Sequence, residues 1–271
     1  MEINEALEYA VKRLKAISYT NPYNESKTIL EELLKVNRAY LIGHGDQEIH
    51  KDIFEKLKSI VDRRLKGEPL QYILGFADFY DDRFYVNPSV LIPRFDTETS
   101  VEIIKTYLKD KKTFLEIGVG SGAVILSLAK IYREKNFTGV DISEKAIEVA
   151  NKNKENLKIK NADIFKSDLF SNVNGKFDII YSNPPYIKTS DILNLQKEVK
   201  DYEPKLALDG GEDGLKFYKK IIKEYKNYIN PKGFLIFEIG YDQGEDIKKL
   251  ADAKIFKDLS GKDRVAVIEV S

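Results

Sequence analysis

Over residues 1–75 apolar positions recur at helical spacing. Ile3, Leu7, Ala10, Val11, Leu14 and Ile17 share one face. Asn21-Pro22 supplies an N-cap and a first-turn proline for a second helix carrying Ile29, Leu30, Leu33 and Leu34. Gly43 and Gly45 interrupt the pattern. A third long helix then places Ile49, Ile53, Leu57, Ile60, Val61 and Leu65 on one side and ends near Gly67. With no strand pattern and no glycine-rich loop, 1–75 reads as a helical bundle for docking rather than chemistry. From Phe76 to Pro93 aromatic and β-branched residues alternate with Asp, Asn and Pro. Phe79-Tyr80, Phe84-Tyr85-Val86 and Val90-Leu91-Ile92 predict a hairpin linker over 76–95.

Beyond it, over 96–271, strand and helix patterns alternate, which predicts a parallel sheet with helices on both faces. Strands are expected near 113–117, 137–141, 158–162, 177–182, 233–239, 253–257 and 264–270. Helices are expected near 96–108, 122–133, 143–156, 213–229 and 243–251. Charge runs such as Lys152-Asn153-Lys154-Glu155 read as the solvated face of a helix.

Composition narrows the function classes. With 42% hydrophobic and 32% charged residues the chain can bury a core. Lys+Arg and Asp+Glu balance at 44 each, whereas a protein whose affinity rests on phosphate neutralisation is usually more basic; a local basic patch stays open, but no direct nucleic-acid partner is expected. The absence of cysteine removes disulfides, thiolate metal sites and cysteine nucleophiles. The two histidines, His44 and His50, both precede the α/β region, so no metal site is expected. Met1-Glu2-Ile3-Asn4-Glu5 lacks a basic segment followed by an apolar one. No apolar run approaches the ~18 residues that span a bilayer. A cytoplasmic monomer without a membrane partner is the expectation.

Two motifs carry chemistry. Phe114-Leu115-Glu116-Ile117 reads as a buried first strand of the sheet and runs into Gly118-Val119-Gly120-Ser121-Gly122. Glycines at a strand-to-helix turn let backbone approach a ligand closely. The next strand ends in Asp141, placed to accept hydrogen bonds from both hydroxyls of an adenosine ribose. Dinucleotide enzymes favour G-x-G-x-x-G with a pyrophosphate on the helix N-terminus. Here the spacing is G-x-G-x-G and Glu116 precedes it. A carboxylate there repels pyrophosphate but suits the amino group and sulfonium of S-adenosylmethionine.

The second motif is Asn183-Pro184-Pro185-Tyr186, directly after the apolar run Phe177 to Tyr181. Two prolines remove two backbone donors and fix φ, interrupting the ladder and leaving the Pro184 carbonyl free. With the Asn183 side-chain oxygen it forms a pair of acceptors for both hydrogens of a planar –NH2 group, and Tyr186 can lie on its face. That grip suits an amide or an exocyclic base amine. In an open α/β sheet ligands sit beyond the carboxyl ends of strands near the switch point, so Gly118 to Gly122, Asp141 and Asn183 should converge. Asp209-Gly210-Gly211-Glu212-Asp213-Gly214 is not a calcium loop, because Lys220 falls where a bidentate Glu is required. It reads as a tight acidic turn before a helix.

The ordered set of motifs resembles the release-factor glutamine methyltransferases, class I enzymes that modify the glutamine of the Gly-Gly-Gln loop in peptide chain release factors. The resemblance covers nearly the whole chain. It includes Glu68 to Gly75, Val90 to Glu98, the glycine loop, Asp141, Asn183 to Tyr186, Gly210 to Leu215 and Asp258 to Arg264. It implies a Rossmann-like class I methyltransferase domain with a seven-stranded, mostly parallel sheet behind a helical substrate-docking domain. The implied cofactor is S-adenosyl-L-methionine, held by Glu116, Gly118, Val119, Gly120, Ser121, Gly122, Asp141, Asp168, Leu169 and Asn183. The implied substrate and catalytic residues are Asn183, Pro184, Pro185 and Tyr186. The implied partners are class I release factors. Two departures stand out. Phe95 occupies a usual proline position, and Leu169 follows Asp168 where an aromatic is common. Relatives that methylate a ribosomal-protein glutamine share Asn-Pro-Pro-Tyr but differ around Arg94 to Glu98, so release factors are favoured. A base-amine N-methyltransferase and a cofactor-binding scaffold without turnover remain as alternatives.

Overall fold

The computed structural model describes residues 1–270 and divides into two compact units. Unit 1 comprises Met1–Gly75 together with Lys197–Tyr202; unit 2 comprises Phe76–Gln196 and the residues from Glu203 onward.

Unit 1 begins with α1 (Ile3–Leu14), α2 (Pro22–Leu34), α3 (Arg38–Gly43), α4 (Lys51–Leu65) and α5 (Leu70–Leu74). The helical faces read from sequence form its core, where Ala6, Ala10, Leu14, Ile29, Leu30, Leu57 and Val61 are fully buried. Asn21 caps α2 by accepting from the Asn24 amide at 3.1 Å. The first helix ends at Leu14, yet Ile17 is still buried through a tight turn, its N–H bonding the Leu14 carbonyl. Two short helices escape the periodicity reading. The six residues of α3 and five of α5 give too few turns to reveal a stripe.

Unit 2 opens with the hairpin β1 (Phe76–Phe79) and β2 (Asp82–Tyr85), paired antiparallel from Phe76↔Tyr85 to Phe79↔Asp82. Val90-Leu91-Ile92 is not part of it. That stretch is loop, with Val90 and Ile92 buried and the Val90 N–H closing a turn onto the Asn87 carbonyl at 3.1 Å. A 3-10 turn at Phe95–Thr97 leads into α6 (Glu98–Leu108), then β3 (Thr113–Ile117), α7 (Ala123–Ile131), β4 (Asn136–Asp141), α8 (Glu144–Asn156), β5 (Ala162–Lys166) and β6 (Phe177–Ser182). After α9 (Lys197–Tyr202), which belongs to unit 1, come α10 (Lys216–Glu224), β7 (Ile229–Glu238), α11 (Gly244–Leu250), β8 (Lys254–Lys257) and β9 (Asp263–Glu269).

The large sheet has seven strands in the order β5-β4-β3-β6-β7-β9-β8. Pairing is parallel as far as β7, and β9 runs antiparallel to both its neighbours. Two strands differ from expectation: β7 begins at Ile229 rather than near 233, and β5 spans 162–166 rather than 158–162. Lys158 takes a left-handed conformation (φ +55°) and the Ile159 N–H bonds the Lys154 carbonyl. That is a Schellman closure of α8, and Ile159 is buried as its hydrophobic partner instead of opening a strand. Likewise α10 begins at Lys216, three residues later than expected, after a turn in which Asp213 accepts the Leu215 amide. No helix among the described residues is long and apolar enough to cross a membrane.

Candidate functional site

The chain runs outward from β3 through β4 to β5, then returns so that β6 pairs with the other side of β3. This reversal opens a crevice beyond the carboxyl ends of β3 and β6. Gly118, Gly120 and Gly122 all adopt positive φ there, at +81°, +53° and +81°. A Cβ at Gly118 or Gly120 would meet nothing within 4 Å, so both glycines present bare backbone to open space. A Cβ at Gly122 would instead lie 2.9 Å from Leu126 Cδ1 and 3.3 Å from the Ala150 methyl. Gly122 therefore serves the packing of α7 on α8. Gly139 supports the loop from beneath, where a Cβ would come 2.7 Å from Val119 Cγ1.

Beyond the loop lies a cavity of about 360 Å3. Glu116, Gly118, Val119, Gly120, Ser121 and Asp141 line one wall. Asp168 and Leu169 line another, and Asn183, Pro184 and Pro185 a third. Of the residues singled out from sequence, Gly122 and Tyr186 stand outside this lining. Several lining residues were not anticipated, among them Pro204, Leu206 and Ala207. Val90, Leu91, Pro93 and Arg94 belong to a stretch read as hairpin, and Lys216, Phe217, Lys220 and Ile221 project from α10. The helical stripe of α10 carried no chemical signature of its own.

Glu116 is 3% exposed, and its Oε2 has no hydrogen-bond partner among the described residues. Burial raises its pKa well above the usual carboxylate range, against the Ile125 amide, which favours ionisation. Asp141 is half-buried and held by backbone. Gly120 N–H donates to one oxygen at 3.0 Å and Ser143 N–H to the other at 2.9 Å. Burial still pushes its pKa up, because desolvation outweighs those amides. Two acids on one wall offer a polyphosphate no counter-charge. A ligand with an ammonium, vicinal hydroxyls and a flat base fits: Glu116 for the first, Asp141 for the second, and Leu169, Phe217 and Ile221 for the third.

Asn183 is half-buried at the cavity, and the Pro184 carbonyl accepts no hydrogen bond among the described residues. The segment is closely braced from behind. Ile187 N–H bonds Leu208 O at 3.1 Å and Gly210 N–H bonds Ile187 O at 2.8 Å. At Gly210 a Cβ would sit 2.8 Å from both the Pro185 carbonyl oxygen and Tyr186 Cα. The acidic turn thus forms the backing of Pro185 to Ile187, not a wall of the cavity. The Tyr186 phenol is pushed up to about 12, first by burial and next by Glu238, with Arg264 and Arg94 opposing. It is neutral at physiological pH. Arg94 is itself fixed, its Nη2 reaching both oxygens of Glu203 at 2.7 and 2.6 Å.

Asn153 departs from the sequence reading. Far from lying on a solvated face, it is 1% exposed. Its Oδ1 accepts from Tyr85 N–H at 2.7 Å, and its Nδ2 donates to Tyr85 O and Ser121 O, each at 2.9 Å. One side chain of α8 thereby ties the hairpin to the glycine loop.

Comparison with known proteins agrees with this picture. The PrmC N-terminal domain family matches residues 5–75, and the methyltransferase small domain family matches residues 92–203. A release factor glutamine methyltransferase of Fusobacterium nucleatum is 40% identical over 275 residues, covering 97% of this chain and 77% of that protein. One of Bacillus cereus is 37% identical over 287 residues and covers both chains completely. Among solved structures, a methyltransferase from Pyrococcus furiosus shares the fold at a TM-score of 0.52 and 21% identity, covering 79% of this chain and 96% of that one. On full-length similarity at this level, together with a glycine loop and acid pair suited to a sulfonium nucleoside, the chain belongs to the release factor glutamine methyltransferase family and is an S-adenosylmethionine-dependent methyltransferase.

Proposed function

We propose that the protein transfers a methyl group from S-adenosylmethionine to the side-chain amide nitrogen (N5) of the glutamine in the Gly-Gly-Gln motif of peptide chain release factors. The observation that carries this reading is Asn183 followed by a Pro184 carbonyl that accepts no hydrogen bond among the described residues, both lining the cavity that holds Glu116 and Asp141. The Asn183 side-chain oxygen and that carbonyl accept the two N–H bonds of the glutamine amide, and Tyr186 lies against its plane. An amide nitrogen is a poor nucleophile because its lone pair is delocalised into the carbonyl. Acceptors aimed at its hydrogens favour positive charge growing on nitrogen, and orientation plus such dipoles supply several kcal/mol. When bound, S-adenosylmethionine supplies an electrophilic methyl group on a cationic sulfur. The nitrogen gains that methyl and gives up one proton to water, so no strong base is called for. His44 and His50, the only histidines, both lie in unit 1.

In this reading Glu116 holds the amino group of the cofactor, Asp141 its ribose, and Asp168 with Leu169 its base edge. Gly118 to Ser121 give the backbone close approach. The helices of unit 1 dock the release factor, a role supported by their lack of chemical groups and by family membership. The test is the mass of the Gly-Gly-Gln peptide from a release factor co-expressed with and without this enzyme, alongside labelled transfer to an oligonucleotide. A peptide one methyl heavier only with the enzyme is the expected result. Transfer to the oligonucleotide and not to the release factor would overturn it.

A further inference from the structure

We propose that Gln243 is a positioning residue for methyl transfer, locking the backbone of Tyr186 so that the Pro184 carbonyl keeps its aim. The inference rests on the role given above to Asn183–Tyr186. Gln243 is 6% exposed, immediately precedes α11 and lies outside the cavity lining. Its side-chain amide has hydrogen-bond partners at both ends. Nε2 donates to the Tyr186 carbonyl at 3.2 Å and to the Gly214 carbonyl at 3.3 Å. Oε1 accepts from Gly240 N–H at 2.9 Å and faces the Tyr218 hydroxyl at 3.3 Å. A primary amide offers two donors and two acceptor sites, so this set fixes its orientation. The flipped amide would set its oxygen against two carbonyls.

The surroundings are shaped to let this amide reach Tyr186. Gly214 has φ +73°, and a Cβ there would come 2.5 Å from the Tyr186 oxygen and 2.9 Å from Nε2. Strand β6 ends at Ser182, so the Tyr186 carbonyl has no ladder to join, and Gln243, which follows the neighbouring strand β7, supplies its donor. Between Ser182 and Tyr186 stand two prolines whose φ is fixed by their rings. Anchoring Tyr186 therefore leaves little freedom at Pro184. Tyr218 packs beside the brace, its single hydroxyl proton shared between Gln243 Oε1 and the closer Glu238 carbonyl at 2.9 Å.

Gln243→Glu keeps the volume but replaces two donors by an acceptor facing two carbonyls. Turnover per cofactor-binding site should fall by about 10- to 100-fold, the scale set by ångström-level misplacement. Affinity for S-adenosylmethionine and KM for the release factor should each stay within about threefold, because Glu116, Asp141 and the glycine loop sit on other strands. Gln243→Met, of similar shape and without a buried charge, carries the same test if the first variant does not fold. A merely structural role would lower the fraction of protein that binds cofactor and leave kcat per bound site intact; that outcome, or wild-type kcat, overturns the inference. Asn183→Ala run in the same assay keeps the two readings apart. If it is active, the functional reading fails; if it is inactive while the Gln243 variants are fully active, only this inference fails.

Discussion

Ile117 and Ser182 end adjacent parallel strands at the same level. They are register partners of β3 and β6, and Ser182 Oγ donates to the Ile117 carbonyl at 2.7 Å. Both are buried. The next residue on one strand is Gly118 and on the other Asn183, so the glycine loop and the Asn-Pro-Pro-Tyr segment leave the sheet side by side. Sixty-five positions of sequence separation collapse to a single hydrogen bond. The acceptor pair proposed for the substrate and the backbone proposed for the cofactor are adjacent for this reason.

Asn183→Ala removes one of the two proposed acceptors and leaves the Pro184 carbonyl in place. Turnover on a release factor should drop by at least about 100-fold, the scale on which removing one preorganised polar group slows acyl-transfer enzymes. Cofactor affinity should fall far less, since Glu116 and Asp141 are untouched. Steady-state methyl transfer with calorimetric cofactor binding separates the two effects; near-normal turnover would end the proposed role.

Glu116→Gln should weaken cofactor binding while stabilising the ligand-free protein at neutral pH. The folded-state pKa of Glu116 is raised, chiefly by burial. A raised carboxylate pKa means the folded state holds its proton over a range where the unfolded chain has lost it. Stability then falls as pH climbs from the ordinary carboxylate range toward the folded value. The advantage of Gln over Glu should therefore be small near pH 4 and grow with pH. Thermal melts at pH 5 and pH 8, with and without S-adenosylmethionine, check both halves. A variant less stable than wild type at pH 8, or binding cofactor equally well, contradicts the assignment.

How far the sequence was legible follows from the kind of signal each residue gives. Strands β3 and β6 were readable to the residue because long apolar runs are bounded by glycines and prolines. The placement of Glu116, Asp141 and Asn183 at one cavity followed from topology, which parallel sheets constrain tightly. Asn153 was misread because its neighbours Lys152 and Lys154 are charged, and periodicity carries no sign that a polar side chain has buried backbone partners. Gln243 left no signal for the same reason. Apart from Gly240 in its own turn, its partners come from two distant stretches, Tyr186 and Gly214 to Tyr218, and only the folded chain brings them together. The departure of β5 came from Lys158, a left-handed position that a lysine does not announce.

Arg64 is 1% exposed and holds unit 1 together through charge. Its guanidinium meets Glu25 at 3.1 Å, Glu198 at 2.7 Å and the Glu68 carbonyl at 3.2 Å. Helix α9, which carries Glu198, buries no side chain of its own, so this ion pair is one of its polar tethers, beside the Tyr202 hydroxyl donating to the Lys66 carbonyl at 3.3 Å. Arg64→Met would strand Glu25 and Glu198 without their shared partner. Breaking such a buried pair costs about 3 kcal/mol, discounted here because both carboxylates retain some contact with water. Urea unfolding should show a loss of about 2 kcal/mol. Amide hydrogen exchange across 197–202 should quicken more than across α1, and equal protection in both proteins would remove the tether.

Glu238 closes β7 fully out of water, and burial pushes its carboxyl to about 7 against hydrogen bonds from Thr97 and Ser100 and the charge of Arg264. The Ser100 hydroxyl lies 3.3 Å from Oε2. Unfolded, the same group titrates near 4.5. Between these values the folded protein binds a proton that the unfolded chain has released, so stability falls as pH rises from about 4.5 to about 7 and levels off above. The full swing is on the order of 3 kcal/mol. Glu238→Gln mimics the protonated acid at every pH and should lack this component. The two proteins should therefore be of similar stability at pH 4.5, with the variant ahead by up to that amount at pH 8. Chemical denaturation at the two pH values measures the difference directly. A gap of the same size at both would mean that Glu238 does not change protonation in this window, and that Arg264 holds it ionised throughout.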